Sequence, residues 1–144
     1  MTLPETWEDT ARLAPDQREP WPHALLRNGS RADLRVVPGP EAGSHDDIFL
    51  TGLEAGTVAV ENPRLGRTFR LGFDHELFRW LCTWQPYGGA NAMPLAGSYA
   101  LGIEPWVALG NLEQAVAAGE AIELAGGAVL ETTLTATLEG GPVA

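Results

Sequence analysis

Lysine is missing from this sequence, so all nine basic residues are arginines, and they are outnumbered by nineteen aspartates and glutamates. The formal net charge is -10, and no arginine, lysine or histidine follows Arg79, whereas six glutamates do. Binding to nucleic acid relies on clustered cations that neutralise phosphates, and this surface does not offer them. We therefore expect no nucleic-acid partner.

Cysteine occurs only once, as Cys82, which excludes an intrachain disulfide and any cysteine-rich metal site. The composition is therefore compatible with a reducing compartment, and we expect a cytoplasmic protein. No run of about 18 apolar residues is present. The first residues show no cationic segment followed by an apolar one, so we expect neither an export signal nor contact with a membrane.

The length and the distribution of proline indicate one domain with a lead-in segment. The chain has 144 residues, of which 44% are hydrophobic and 19% are charged, and this is enough apolar material for a single packed core. Six of the eleven prolines lie in residues 1–44. Because proline at this density breaks regular elements, we predict a Pro-rich N-terminal arm over residues 1–44 and a β-sandwich domain over residues 45–144.

From Asp47 onward, short runs of alternating, β-branched or aromatic residues are separated by Gly, Pro or Asn, which is typical of all-β proteins. We predict strands over residues 48–53, 57–61, 68–73, 77–85, 99–104, 121–124 and 130–138. The second and third strands would form a hairpin across residues 62–66. In the last strand leucines alternate with Thr and Glu, which indicates a half-buried antiparallel strand.

A short helix is predicted over residues 112–118, with Asn111 as its N-cap and Gly119 after its end. Together these elements predict an all-β fold, an antiparallel β-sandwich with a short helical crossover. The core would include the apolar residues that alternate along two of the strands: Phe69, Leu71, Phe73, Leu130, Leu134 and Leu138.

Two tryptophans on one predicted strand are the first candidates for a binding site. In an extended conformation Trp80 and Trp84 share a face with Cys82 and form a flat apolar platform. Sugars stack on such platforms, and Gln85 and Tyr87 add amide and hydroxyl groups beside it. The alternative is that both tryptophans belong to the core, since aromatic residues dominate core burial.

Glu104 is the candidate catalytic residue. Pro105 holds Glu104 in an extended conformation, and a carboxylate beside Ile103 and Trp106 would be partly desolvated, which raises its pKa and makes it a better proton acceptor. The alternative is a surface glutamate at the end of a strand. The His45-Asp46-Asp47 run offers metal-ligand types, but it lacks further ligands at a set spacing, so we expect no metal and no cofactor.

The order of these motifs resembles the C-terminal half of the aldose 1-epimerases, which are galactose-mutarotase-like proteins. The resemblance covers residues 33–140, and its most specific part is Gly102-Ile103-Glu104-Pro105-Trp106. It implies about half of the family's large β-sandwich. It also implies that Glu104 is the catalytic base, that Asp46 binds a sugar hydroxyl and that Trp84 lines the pocket.

Members of this family are considerably longer, and the half without a counterpart here supplies the histidine general acid and an arginine that contacts sugar. Classical mutarotation needs a base at the anomeric hydroxyl and an acid at the ring oxygen, so the resemblance leaves the acid unassigned. Two functions stay open. One is a carbohydrate-binding protein that interconverts sugar anomers with Glu104 as general base, and the other is a non-catalytic sugar-binding or structural module.

We predict a single site for a small-molecule sugar, in which Glu104, Asp46 and Trp84 converge on one concave face, with Trp80, Gln85 and Tyr87 at its rim. Half a sandwich leaves sheet edges and apolar surface uncovered, so we also expect a homodimer. In such a dimer, His45 of one chain is the candidate acid for the site of the other.

Overall fold

The computed structural model describes residues 10–140, and these residues are mostly β. Eight strands are present in this range: β1 (His23–Leu25), β2 (Arg31–Asp33), β3 (Ser44–Thr51), β4 (Thr57–Asn62), β5 (Arg67–Gly72), β6 (Trp80–Tyr87), β7 (Gly102–Trp106) and β8 (Thr135–Glu139). One helix, α1 (Leu112–Ala117), and a 3-10 turn at Pro40–Ala42 complete the elements of this range. The predicted all-β class is confirmed. Within residues 10–140, no helix has the length and apolarity needed to span a bilayer.

The described residues divide into two compact units. The first unit comprises residues 10–50 and 81–104, and the second comprises residues 51–80 and 105–140. The first unit contains the hairpin β1-β2 and carries most of the three-stranded sheet β3-β6-β7. The second unit contains the three-stranded sheet β4-β5-β8 and helix α1.

A small hairpin lies within the predicted irregular arm. His23 pairs with Asp33 and Leu25 with Arg31, and the chain turns through Gly29, whose φ of 82° suits glycine. The side chain of Gln17 bonds both backbone groups of Leu25, at 2.6 and 2.9 Å. The strands have three residues each, which is too short for a period of two to be recognised in the sequence.

The sheet of the first unit has β6 at its centre, between β3 and β7. The most buried residues of this strand are Leu81, Cys82, Gln85, Pro86 and Tyr87. At the end of β6 the chain passes so close to β3 that a side chain at Gly89 would overlap the backbone of Ser44. Glycine at this position therefore permits the close approach of two backbones.

The predicted hairpin of the second unit is confirmed. Strands β4 and β5 pair antiparallel from Thr57 opposite Gly72 to Asn62 opposite Arg67. The turn is closed by Leu65, whose N–H donates to the backbone and side-chain oxygens of Asn62, both at 3.1 Å. Strand β8 pairs antiparallel with the other edge of β5.

Strand β6 begins at Trp80, three residues later than predicted, because the preceding residues form a turn. The side chain of Asp74 accepts hydrogen bonds from the backbone N–H groups of Glu76 and Leu77, at 3.0 and 3.3 Å. An aspartate that binds the backbone two residues further on is a turn former. The apolar pattern that begins at Leu77 therefore does not mark the start of the strand.

Two predictions for the C-terminal part are wrong. Residues 121–124 form no strand, and the strand predicted over residues 130–138 is limited to Thr135–Glu139, with all five residues exposed. The expected core leucines are exposed, with exposed fractions of 48% for Leu130, 53% for Leu134 and 62% for Leu138. Alternation shows that one side of a segment is apolar, but it does not show that anything in the same chain covers that side. Leu71 and Phe73 are buried as predicted.

Helix α1 has the predicted N-cap. The Asn111 side chain accepts from the backbone N–H of Gln114 at 2.9 Å, and the Gln114 side chain accepts from the backbone N–H of Asn111 at 2.8 Å. This reciprocal arrangement is a capping box, which satisfies two backbone donors at the helix start. The helix ends before Gly119, whose φ is 69°.

Candidate functional site

A hydrogen bond between two rings marks one face of the sheet in the first unit. The indole Nε1 of Trp84 donates to Nε2 of His45 at 2.7 Å, with the ring centroids 5.9 Å apart and the planes at 70°. An indole N–H can only donate, so Nε2 of His45 must be unprotonated. The hydrogen bond thereby assigns His45 as the neutral tautomer with its proton on Nδ1.

The absence of a side chain at Gly102 brings Trp84 and Glu104 together. A Cβ at position 102 would lie 3.1 Å from Cβ of Trp84, 3.3 Å from its Cε3 and 3.0 Å from Oε1 of Glu104. The indole on β6 and the carboxylate on β7 thus lie against the same point of the backbone. The structure therefore brings together these two of the three residues predicted to converge.

Asp47 and Cys82 share this face by strand alternation. His45 and Asp47 are two residues apart on β3, and Cys82 and Trp84 are two apart on β6. Burial is the main reason that the pKa of Asp47 is raised. The Glu104 and Asp46 carboxylates raise the pKa of Asp47 further, whereas a positive charge on His45 would lower it.

Cys82 is buried, and the carboxyl groups of Glu104 and Asp47 act on its thiol. Burial, followed by the charges of Glu104 and Asp47, raises the pKa of Cys82 to about 12. We call the five residues on this side of the sheet the Trp84 face: His45, Asp47, Cys82, Trp84 and Glu104. The Trp84 face combines an aromatic ring, a neutral imidazole, a thiol and two carboxyl groups.

Asp46 belongs to a different cluster. Its Oδ2 accepts from Nε of Arg12 at 3.3 Å and its Oδ1 accepts from the backbone N–H of Leu13 at 3.0 Å. The Asp46 side chain is 3% exposed. Because Asp46 alternates with His45 and Asp47 on β3, it lies on the opposite side of the strand from the Trp84 face. The expected convergence of Asp46 with Glu104 and Trp84 is therefore wrong.

Gln85 and Tyr87 join Asp46 around the Arg12 guanidinium. Nη2 of Arg12 donates to Oε1 of Gln85 at 3.1 Å, and its Cζ lies 5.5 Å from the centroid of the Tyr87 ring. Tyr87 is 2% exposed, and burial raises its pKa to about 12. We call this set the Arg12 cluster: Arg12, Asp46, Gln85 and Tyr87. The sugar-binding roles assigned to Asp46, Gln85 and Tyr87 stay predictions.

Trp80 makes its contact within the second unit. Its indole Nε1 donates to Oε2 of Glu120 at 3.1 Å. A buried or half-buried indole needs such an acceptor, so this hydrogen bond accounts for the polar atom of Trp80. Its predicted role at the rim of a sugar site also stays a prediction.

Two residues that shape these clusters were missed in the sequence. Arg12 lies in the Pro-rich arm, where no local pattern marks it. Gly102 carries a signal, because a glycine within a strand often marks the close approach of another group, and it is two residues before Glu104. In the part of the chain that the structure describes, no group of three or more His, Cys, Asp or Glu side chains is arranged to hold a metal ion.

No protein-family model matches the sequence, and comparisons with curated proteins and with solved structures give no significant match.

Proposed function

We propose that the protein binds a small sugar on the Trp84 face and interconverts its anomers, with Glu104 as the general base. The observation that supports this most is the placement of the Trp84 indole and the Glu104 carboxylate against the same backbone position, Gly102. A flat aromatic ring offers a stacking surface for the C–H face of a sugar, and a few polar groups beside it orient the ligand.

The resemblance to aldose 1-epimerases supports the same role for Glu104. The segment Gly102-Ile103-Glu104-Pro105-Trp106 resembles the one in which that family carries its catalytic base. In this proposal the all-β fold is part of a galactose-mutarotase-like β-sandwich. The proposal also explains the glycine at position 102, because a residue without a side chain lets the stacking ring and the base approach each other.

Glu104 and His45 have separate roles in this proposal. Glu104 takes the proton of the anomeric hydroxyl, the ring bond between C1 and O5 opens, and the aldehyde recloses from its other face. His45 holds the plane of the Trp84 ring by accepting its N–H. The reaction also needs a proton donor at the ring oxygen, since general acid and general base act together in this step.

A non-catalytic sugar-binding module is the second candidate, and one observation favours it. His45 is the only histidine of the Trp84 face, and its Nε2 accepts a hydrogen bond from Trp84. This nitrogen therefore carries no proton for the ring oxygen. Stacking on Trp84 needs no such donor, so binding without catalysis is compatible with the same geometry.

Exchange NMR between the α and β anomers of several aldoses tests the proposal. We expect the wild-type protein to accelerate exchange over buffer and Glu104→Gln to abolish the acceleration. Glu120→Gln is the matched control, because Glu120 is also a glutamate beside a tryptophan but lies outside the Trp84 face. Sugar-induced shifts without acceleration would support the binding module, and the absence of both would overturn both candidates.

A further inference from the structure

We propose that Asp47 is the general acid that works with Glu104, giving its proton to the ring oxygen of the sugar while Glu104 takes the proton of the anomeric hydroxyl. This inference rests on the proposed function and deepens it. It assigns the acid from within the same chain, on strand β3 of the sheet whose strand β7 carries the base.

The order of the strands places the residues that carry the two carboxyl groups on either side of β6. Strands β3 and β7 both pair with β6, so Asp47 and Glu104 flank the central strand with Cys82 between them. Neighbouring strands lie about 4.8 Å apart, so the two backbones are separated by roughly 10 Å. Enzymes that act on sugars with two carboxyl groups hold those groups roughly 5 to 9 Å apart. Side chains that extend from these two backbones can bring their carboxyl groups within this range.

The surroundings of Asp47 favour its protonated form. The groups that act on it are His45 and Asp46 on its own strand, Cys82 on β6 and Glu104 on β7. Burial and the two carboxylates raise the pKa of Asp47, and their effect exceeds the opposite effect of His45. A carboxyl group whose pKa is raised stays protonated over a wider pH range, and the protonated form is the donor that the ring oxygen requires.

The other two ionisable groups of the face are poorer donors. Nε2 of His45 accepts the Trp84 N–H and carries no proton, and Nδ1, which carries it, is buried. The whole residue is 3% exposed, so His45 cannot reach the site of a second chain. The pKa of Cys82 is raised to about 12, which makes its thiol a weak acid near neutral pH. Asp47 is half-buried and retains an accessible surface.

The proton transfers balance within the pair. Glu104 takes the proton from the anomeric hydroxyl, and the electron pair of that O–H bond forms the carbonyl. The C1–O5 bond breaks, its electrons remain on O5, and O5 receives the proton of Asp47. The open-chain aldehyde then faces a neutral Glu104 and an ionised Asp47, and ring closure on the other face reverses both transfers. The pair holds one proton and one negative charge throughout, so the net charge of this partly desolvated face does not change.

The first test compares Asp47→Asn with wild type in the exchange assay. We expect the exchange rate of the wild type to fall as pH rises through the titration of Asp47, since only the protonated acid donates. Asp47→Asn should slow exchange by about 100-fold and remove this alkaline decline. Asp33→Asn, an exposed aspartate of the same unit, is the control and should keep the wild-type rate and profile.

The outcomes separate the two claims. If the wild type accelerates exchange and Glu104→Gln abolishes it, but Asp47→Asn keeps the wild-type rate and pH profile, this inference is overturned while the proposed function stands. If the wild type does not accelerate exchange, both are overturned.

A second test needs neither activity nor a folded Asp47 variant. In 13C NMR of the wild type, the carboxyl carbon of Asp47 should titrate above the ordinary range of aspartate, and Glu104→Gln should lower its midpoint. A midpoint within the ordinary range, unaffected by Glu104→Gln, would overturn the inference.

Discussion

The indole N–H of Trp84 is bonded to Nε2 of His45 at 2.7 Å, across the boundary between strands β6 and β3. His45 is almost fully buried, so this hydrogen bond is shielded from competing water. The orientation of the proposed stacking ring therefore depends on the protonation state of one imidazole. The same bond defines which side of the sheet carries the Trp84 face.

Substitution of His45, which accepts the indole N–H of Trp84, tests this hydrogen bond. His45→Phe keeps an aromatic ring but leaves the Trp84 N–H without its acceptor, which should cost about 1 to 3 kcal/mol in the free energy of unfolding. The indole N–H resonance of Trp84 should also move upfield. Urea unfolding and NMR measure the two effects. His45→Gln, whose amide oxygen can accept, is the matched control and should recover part of the loss, and a His45→Phe protein as stable as wild type would contradict the assignment.

The Arg12 cluster should be important for stability. Arg12→Met leaves the carboxylate of Asp46 buried without its cation, and removing one partner of a buried pair typically costs about 3 to 5 kcal/mol. We expect a cost near the lower end, because the Arg12 side chain is 22% exposed. Arg35→Met removes the cation of the exposed Asp33–Arg35 pair and should scarcely change the urea midpoint. If Arg12→Met and Arg35→Met lowered the urea midpoint equally, the contribution to stability that we assign to the Arg12 cluster would be contradicted.

Cys82 should be unreactive in the folded protein. Its thiol is 3% exposed and its pKa is raised from 9.0 to about 12, so almost no thiolate is present at pH 8. Ellman's reagent should modify the urea-unfolded chain completely while the folded chain stays unmodified. The unfolded thiol also loses its proton first, so stability should fall as pH rises from 9 toward 12. Rapid modification of the folded protein would contradict the burial of Cys82.

The homodimer stays a prediction, and the apolar side chains that the second unit exposes offer a place to test it. Val129 is 80% exposed and Leu138, on the edge strand β8, is 62% exposed. Exposed apolar surface at a sheet edge favours association. Light scattering at micromolar concentration should give twice the chain mass of 15.4 kDa. Leu138→Glu should reduce it to a single chain, whereas Leu65→Glu, in the β4-β5 turn, should not. A wild-type mass of one chain would reject the dimer.

Local features of the fold were predictable, because short-range contacts determine them. The turn at residues 62–66 and the Asn111 cap each involve groups within a few positions of one another. Alternation also placed Cys82 and Trp84 on one face of their strand. It did not show that Asp46 lies opposite to Trp84, because this depends on how β3 and β6 pair, and Asp46 and Trp84 are 38 positions apart. The exposed leucines of residues 130–138 were misassigned for a related reason, since a period of two identifies an apolar side but not its neighbour.

The most direct test of sugar binding on the Trp84 face is 1H–15N NMR of the tryptophan indoles during titration with aldoses. The chain has five tryptophans, and Trp84→Phe assigns the resonance of Trp84. We expect the Trp84 indole signal to shift in a saturable manner with at least one sugar, while the Trp80 signal, whose N–H is bonded to Glu120, stays in place. A Trp84 signal that does not move with any aldose, or a saturable shift confined to Trp80, would contradict the proposed site.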